Sequence, residues 1–142
     1  MIDFEEIKNV LPQKYPYSMV DRILELTERE KVVGIKNITG NDICFLGHFP
    51  DCSIVPATMI IEIMAQTGTF LFHSKGKKAK KLDFFLGMIK EAKFVKPVVP
   101  GDQLKVTVTA IRITDDNAYV HAIAEVQAET VAASDMIFVR RK

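Results

Sequence analysis

The sequence predicts an α+β domain in which an antiparallel sheet packs around one buried helix. Two patterns support this prediction. Residues 57–73 form the only long helical candidate, and apolar side chains occupy most of its circumference. Residues 104–110 and 120–128 then alternate apolar and polar side chains with a period of two, which is the pattern of half-buried strands.

The first third of the chain predicts a short helix and two strands. Apolar residues recur at helical spacing over residues 4–11, and Pro12 ends that pattern. Residues 20–26 and 31–38 are strand candidates joined by a polar turn. Residues 40–56 are rich in turn formers and predict an irregular segment.

The long helix is predicted to begin beside Pro56 and to end before Gly76. Proline is tolerated in the first turn because its missing N–H would have no partner there. A glycine accompanied by several lysines is typical of a helix C-terminus. A helix that is apolar on nearly every side belongs in the interior. Its apolar residues are Met59, Ile60, Ile61, Ile63, Met64, Leu71 and Phe72.

Four strand candidates follow the helix, over residues 82–89, 104–110, 120–128 and 130–139. Residues 115–117 form a turn between the second and the third. One face of the third candidate carries small side chains that would let a helix approach the sheet closely. They are Ala122, Ala124 and Ala128.

Length and charge are those of an ordinary globular domain. The chain has 142 residues, so we predict a single domain over residues 1–142. Lys and Arg total 19 and Asp and Glu total 18, a balance that gives no general attraction to nucleic acid or to an anionic membrane. Since neither a secretory signal nor a membrane-spanning run is evident, we expect a soluble cytoplasmic protein.

Cys44, His48 and Cys52 are spaced as Cys-x3-His-x3-Cys, which raises a metal-binding hypothesis. The pattern matches no common zinc spacing, and no fourth ligand is evident nearby. For two cysteines in a protein expected in the cytoplasm, we predict free thiols and no metal site.

Four polar residues interrupt the apolar pattern of the long helix. Thr58, Glu62, Gln66 and Thr69 follow at spacings of four, four and three, which places them on one stripe. A carboxylate is rarely buried unless it is paired, because desolvating its charge is costly. Either the stripe meets water or a partner subunit, or apolar surroundings raise the pKa of Glu62 and make it a general acid.

The segment Gly47-His48-Phe49-Pro50 lies just before the same helix. A lone histidine is more often structural or exposed than catalytic. This one lies in a tight loop that precedes a helix N-terminus, where free backbone N–H groups bind a developing oxyanion. We therefore predict that a base, an acid and oxyanion donors converge on one substrate.

Six short motifs follow one another in order within residues 4–139. They are Leu11-Pro12, Tyr15-Pro16, Val20-Asp21-Arg22, Gly47-His48-Phe49-Pro50, Ile60-Ile61-Glu62-Ile63-Met64-Ala65-Gln66 and Pro97-Val98-Val99-Pro100-Gly101-Asp102. Together they resemble the (3R)-3-hydroxyacyl-acyl-carrier-protein dehydratases of bacterial fatty acid synthesis. The resemblance implies the hot-dog fold, a long central helix wrapped by an antiparallel sheet.

The resemblance also implies a reaction, the dehydration of a (3R)-3-hydroxyacyl thioester on acyl carrier protein to the trans-2-enoyl thioester. His48 aligns with the family's catalytic histidine and Glu62 with its catalytic glutamate, and no metal or redox cofactor is needed. In the family the two meet across a homodimer interface and the dimers commonly assemble into hexamers, so the resemblance implies the same assembly here. Glutamate at position 62, where isomerising relatives usually carry aspartate, favours plain dehydration. Substrate or oxyanion binding is expected at Gly47, Phe49, Ala57 and Gln66.

The chain departs from the family pattern at several positions. Residues 51–53 read Asp-Cys-Ser in place of a Gly-Arg-Pro-like turn, and Ala57 replaces a glycine. Gln13 and Lys14 replace a commoner His-Arg pair, and Ser18 replaces a bulkier apolar residue. These changes leave the catalytic pair intact, so we expect them to affect acyl-chain length and rate.

Basic residues are candidates for docking the acidic carrier protein, because positive charge steers such an association. By resemblance, residues 90–96 lie nearest the mouth of the acyl tunnel. A second cluster either forms a solvated loop or adds to the docking surface; it consists of the lysines at positions 75, 77, 78, 80 and 81. The individual candidates are Lys90, Lys93, Lys96, Arg140, Arg141 and Lys142.

Two other functions stay open. A thioesterase of the same fold would hydrolyse the thioester with a water positioned by Glu62, although the Gly-His-Phe-Pro motif argues against it. A non-catalytic acyl-binding subunit would explain the altered turn at residues 51–53.

Overall fold

The described residues form a six-stranded antiparallel sheet and a central helix, which confirms the predicted α+β class. The computed structural model describes residues 1–74, 76 and 81–141. Short 3-10 helices cover Ile43–Leu46 and Phe70–Phe72. The main elements are α1 (Phe4–Val10), β1 (Arg22–Thr27), β2 (Lys31–Asn37), α2 (Ala57–Thr69), β3 (Phe84–Phe94), β4 (Gln103–Ile113), β5 (Asn117–Val126) and β6 (Glu129–Arg140).

The strands lie side by side in the order β1-β2-β4-β5-β6-β3. Hairpins join β4 to β5 and β5 to β6, whereas β3 precedes β4 in the chain and lies at the far edge of the sheet beside β6. The helix α2 packs against β2, β3, β4, β5 and β6, so the sheet curves around it. Within the described structure, the outer backbone edge of β3 has no strand neighbour.

The helix α2 is buried along most of its length, as its apolar circumference predicts. Small residues let it approach the sheet. Ala122 and Ala124 are fully buried on β5. At Gly68 the approach is so close that an added Cβ would lie 2.6 Å from the ring of Phe138 on β6.

Two details of the prediction are wrong. Ala128 does not face the core, because Gln127 and Ala128 have positive φ angles and form the two-residue loop between β5 and β6. The long helix ends as an α-helix at Thr69 and then tightens into the 3-10 turn Phe70–Phe72. Gly76 therefore lies outside the helix terminus that it was expected to mark.

Asp3 caps the N-terminus of α1, and its carboxylate accepts a hydrogen bond of 3.0 Å from the backbone N–H of Glu6. Ile7 and Val10 bury the inner face of α1 against the core. None of the described helices is long and apolar enough to cross a membrane.

Candidate active site

His48 lies in the loop before α2 and is held in one orientation. Its backbone N–H donates to Cys44 O at 3.1 Å, and its carbonyl accepts from Ile54 N at 3.2 Å. The ring Nδ1 lies 2.7 Å from Ile54 O. Because a carbonyl can only accept, Nδ1 carries a hydrogen, and in the neutral ring Nε2 keeps a free lone pair. The loop therefore presents His48 as a base.

His48 lines an open groove of about 350 Å³. Phe49 stacks on its ring, with 4.0 Å between ring centroids. A hydrogen bond of 2.8 Å from Val55 N to Val98 O joins the His48 loop to the segment after β3. The other lining residues are mostly apolar, namely Ile54, Val55, Ala57, Ile60, Phe94, Val95, Lys96, Pro97 and Val98.

The N-terminus of α2 opens into the same groove. The carbonyl of Pro56 accepts hydrogen bonds from the backbone N–H groups of Met59 and Ile60. The N–H groups of Ala57 and Thr58 have no partner in the described part of the chain, and no side chain caps this end. They are donors available to an anion, and the positive end of the helix dipole favours negative charge at this point.

Gly47 is exposed, and a Cβ at this position would meet nothing within 4 Å. Its backbone N–H is directed to Cys44 O at 3.4 Å. The predicted role of Gly47 in substrate binding therefore stays a prediction.

Glu62 lies half-buried on α2, and burial raises the pKa of its carboxyl above the ordinary value. A hydrogen bond of 2.8 Å from Gln66 Nε2 to Glu62 Oε1 opposes that rise, because it stabilises the charged form. Burial has the larger effect. The carboxyl therefore holds its proton to a higher pH than an exposed glutamate would, which suits a general acid.

Gln66 is 1% exposed, and its amide is occupied by protein groups. Oε1 accepts a hydrogen bond of 2.7 Å from Met19 N, and Nε2 donates to Tyr17 O at 2.7 Å as well as to Glu62. The sequence places Gln66 among residues that bind substrate or oxyanion. In the structure its amide joins Glu62 to the segment before β1.

The predicted polar stripe of α2 divides into two parts. Glu62, Gln66 and Thr69 line one pocket of about 180 Å³. Thr58 is exposed at the helix N-terminus and lies outside that pocket. The pocket is otherwise walled by Gln13, Ala65, Phe84, Phe85, Leu86 and Phe138.

Within one chain, His48 and Glu62 open into different cavities. The groove of His48 and the pocket of Glu62 share no lining residue. The first adjoins the end of β3 at Phe94, and the second adjoins its beginning at Phe84.

Comparison with known proteins identifies the family. The family profile described as a FabA-like domain matches residues 11–136. The chain belongs to the FabA-like family. The predicted family resemblance is thereby confirmed.

Curated relatives of this FabA-like chain are named 3-hydroxyacyl-[acyl-carrier-protein] dehydratase FabZ. The relative from Streptococcus pneumoniae is 45% identical over 138 residues, covering 97% of each chain. The relative from Exiguobacterium sibiricum is 40% identical over 138 residues, covering 97% of this chain and 98% of its own. These names confirm the predicted enzyme class.

Solved structures confirm the hot-dog fold of this FabA-like chain. The dehydratase heterocomplex ApeI:P from Xenorhabdus doucetiae matches with a TM-score of 0.78 at 12% identity, covering 96% of this chain and 91% of that one. An uncharacterised protein from Pyrococcus horikoshii matches with a TM-score of 0.70 at 14% identity, covering 100% and 96%. At these identities the likeness shows the fold alone.

Of the docking candidates in the described part of this FabA-like chain, Lys96 is the one that lines the groove of the candidate base. It lines the groove of His48 and forms an ion pair with Glu129. Lys93 lies 3.4 Å from the carboxylate of Glu91. The ammonium of Lys90 lies over the ring of Tyr119, at 5.0 Å from its centroid.

Arg140 lies far from the groove of His48. It pairs across the sheet with Phe84, at the opposite end of β3 from Phe94, and its guanidinium lies 3.2 Å from the carboxylate of Asp116. Lys81 and Arg141 are exposed. The remaining candidates, the lysines at positions 75, 77, 78, 80 and 142, lie outside the described residues.

Cys44 is half-buried and Cys52 is exposed, and both carry free thiols. Burial and the neighbouring carboxylate of Asp42 raise the pKa of the Cys44 thiol. Since the thiolate is the form that binds a metal, this shift disfavours the metal hypothesis at Cys44.

Proposed function

We propose that the protein dehydrates (3R)-3-hydroxyacyl thioesters on acyl carrier protein to trans-2-enoyl thioesters, in fatty acid or related acyl-chain synthesis. The supporting observation is the groove that combines the free Nε2 of His48 with the unpartnered N–H of Ala57. The names of the curated relatives support the substrate class.

Neutral His48 is the base. The thioester carbonyl acidifies the C2–H bond, and Nε2 of His48 removes that proton. The hydrogen bond of Nδ1 to Ile54 O stabilises the ring orientation and the imidazolium that forms. Phe49, which stacks on the ring, limits its rotation.

The N-terminus of α2 holds the negative charge that develops on the thioester oxygen. Ala57 and His48 line the same groove, and the free N–H of Ala57 belongs to the first turn of α2. Oxyanion donors of this kind typically contribute ~10²–10³-fold to the rate. Alanine keeps the N–H that glycine would supply at this position.

Protonated Glu62 is the acid. Burial raises the pKa of its carboxyl and so favours the protonated form, and the carboxyl gives that proton to the departing C3 hydroxyl. The electrons of the C2–H bond form the C2=C3 double bond, and the C3–O bond breaks with release of water.

The separation of His48 from Glu62 supports an active site shared by two copies of the chain. The outer edge of β3 is unpaired within the described structure. An unpaired edge with exposed apolar side chains favours association with another strand. The exposed apolar residues on and beside β3 are Phe85, Met88, Ile89, Phe94 and Val95.

A two-fold pairing of β3 brings the two cavities together. Ile89 is the midpoint of β3, which runs from Phe84 to Phe94. If two copies of β3 pair antiparallel about Ile89, Phe94 of one copy lies opposite Phe84 of the other. The groove of His48 in one copy then adjoins the pocket of Glu62 in the other.

Lys96 is the best-supported contact for the carrier protein. It is the one lysine or arginine lining the groove of His48 in the described structure, so a positive charge lies beside the thioester. Carrier proteins of this kind are acidic, and a charge at the rim of a binding site mainly raises the association rate.

The direct test is to incubate the purified protein with a 3-hydroxybutyryl thioester on acyl carrier protein. We expect the 2-enoyl thioester to form, measured by its ultraviolet absorbance. His48→Ala and Glu62→Ala should each lower kcat by ~10²–10⁴-fold, as expected for loss of general acid–base catalysis. Free thiol is measured in the same samples.

Thiol release without enoyl product would identify a thioesterase. If folded protein gave neither signal across several chain lengths, the protein would be a non-catalytic acyl-binding subunit.

A further inference from the structure

The pocket around Glu62 contains few polar groups, and nearly all are occupied. Gln66 uses its amide on Met19, Tyr17 and Glu62. Thr69 Oγ1 donates to Gln66 O at 2.8 Å. Glu62 uses Oε1 for its contact with Gln66, which leaves Oε2 as the oxygen free to carry the proton.

Gln13 is the exception. It lies between α1 and β1 and lines both the Glu62 pocket and a neighbouring groove beside α1. In the described part of the chain, two buried side-chain oxygens lack a hydrogen-bond partner, Gln13 Oε1 and Ser18 Oγ. Only Gln13 lines the Glu62 pocket.

An unpaired buried amide oxygen requires an explanation, because burying a polar group without a partner destabilises the fold. Gln13 would gain a hydrogen bond if its amide turned toward a donor inside the pocket. The apolar lining residues offer no such donor; they are Ala65, Phe84, Phe85, Leu86 and Phe138. The proton on Glu62 is the one that the proposed reaction transfers to the substrate, so the donor for Gln13 is a hydroxyl group that enters the pocket.

We propose that Gln13 accepts a hydrogen bond from the departing C3 hydroxyl group, beside Glu62. This inference rests on the dehydration proposed above and adds a contact for the leaving group. Glu62 donates its proton to the hydroxyl oxygen, the C3–O bond breaks, and the electron pair of that bond stays on the oxygen. The resulting water has two hydrogens, of which one is directed to the Glu62 carboxylate and the other to Gln13 Oε1.

The test compares Gln13→Leu with the wild-type protein on two substrates. The first is a 3-hydroxybutyryl thioester, and the second is a 3-fluorobutyryl thioester, whose leaving group carries no hydrogen. We expect Gln13→Leu to lower kcat for the hydroxy substrate about tenfold, the effect of one hydrogen bond made in the transition state. KM and elimination of fluoride should change less than about twofold, because neither depends on that bond.

A stability measurement separates this role from a structural one. Because the Gln13 oxygen has no protein partner, replacing the amide by leucine should leave the thermal midpoint unchanged or raise it. Gln13→His, which keeps an acceptor nitrogen, should retain most of the wild-type kcat. Gln103→Leu is the matched control, since exposed Gln103 lines neither cavity of the candidate site.

Equal losses on both substrates, unchanged kcat, or a Gln13→Leu protein that does not fold would each overturn the proposal. A wild-type protein that forms no enoyl product refutes the proposed function itself, which the first sample of the series reveals before any variant is compared.

Discussion

At the residue scale, the acid strength of Glu62 depends on Gln66. The N–H···O bond from Gln66 to Glu62 stabilises the carboxylate and so lowers the pKa of Glu62. Gln66→Met removes that bond, and the pKa of Glu62 rises further. The acid must be protonated to act, so activity is lost as pH rises through this pKa. We expect the alkaline limb of the kcat profile to move to higher pH in Gln66→Met.

The same substitution should also destabilise the protein, since Met19 N–H and Tyr17 O would lose their partner while buried or half-buried. Each such loss costs about 1–3 kcal/mol. Urea unfolding measures the stability, and the dependence of kcat on pH gives the position of the alkaline limb. Gln103→Met, with its exposed amide, is the control. If stability fell and the alkaline limb stayed in place, Gln66 would have only a structural role.

Sequence reasoning at this scale could find the candidate acid and base but not their supports. Glu62 stands out because a carboxylate interrupts an apolar helix, and His48 because of the Gly/Pro loop around it. The partners of Gln66 lie 47 and 49 residues away in the chain, and no local pattern reveals contacts over that separation. For the same reason the sequence indicates Gln13 only as a departure from the family pattern.

At the element scale, periodicity predicts most of the fold because each element exposes one face and buries another. The predicted strands over residues 104–110 and 130–139 lie within β4 and β6. The errors occur at ends. The alternation of apolar and polar residues extends to Ala128, beyond the end of β5. The positive φ angles of the two-residue loop leave no mark on that alternation, so the sequence does not show where the strand ends. The apolar pattern does not reveal where the α-helix ends, because Phe70 and Leu71 are buried in the 3-10 turn just as they would be in a longer helix.

The contact between α2 and β6 leads to a stability prediction. A Cβ at Gly68 would lie 2.6 and 2.7 Å from ring atoms of Phe138, which is itself buried. Alanine favours a helix interior by about 1 kcal/mol over glycine, but overpacking a buried contact typically costs about 1–3 kcal/mol. Because overlaps this short place the cost in the upper part of that range, about 2–3 kcal/mol, we expect Gly68→Ala to lower the free energy of unfolding by about 1–2 kcal/mol.

Urea unfolding at one fixed protein concentration checks this, because association would make the stability depend on concentration. Gly40→Ala is the matched control, since a Cβ there would meet nothing within 4 Å. Its unfolding free energy should change by less than about 0.5 kcal/mol. A Gly68→Ala protein as stable as the wild type would show that Phe138 moves aside freely.

At the scale of the whole molecule, the order of the strands decides where function can occur. The sequence predicts the strand β3 but not its place in the sheet. Although β3 is third in the chain, it lies at the sheet edge and pairs with β6. Pairing partners depend on how the whole sheet curves around α2, which local patterning does not encode. That edge position is what leaves the ends of β3, and the cavities beside them, open to a second copy.

Complementation between two inactive variants tests whether the active site spans two copies. His48→Ala retains Glu62, and Glu62→Ala retains His48, so a mixed dimer contains one site with both groups intact and one with neither. Random mixing makes half of the dimers mixed, and each then has one working site of two. We expect about a quarter of wild-type activity after the two variants are unfolded and refolded together. Each variant refolded alone should stay inactive, and refolded wild-type protein measures the recovery. A mixture that stays inactive while the wild type recovers would place His48 and Glu62 in a site within one chain, contrary to the separate cavities that they line.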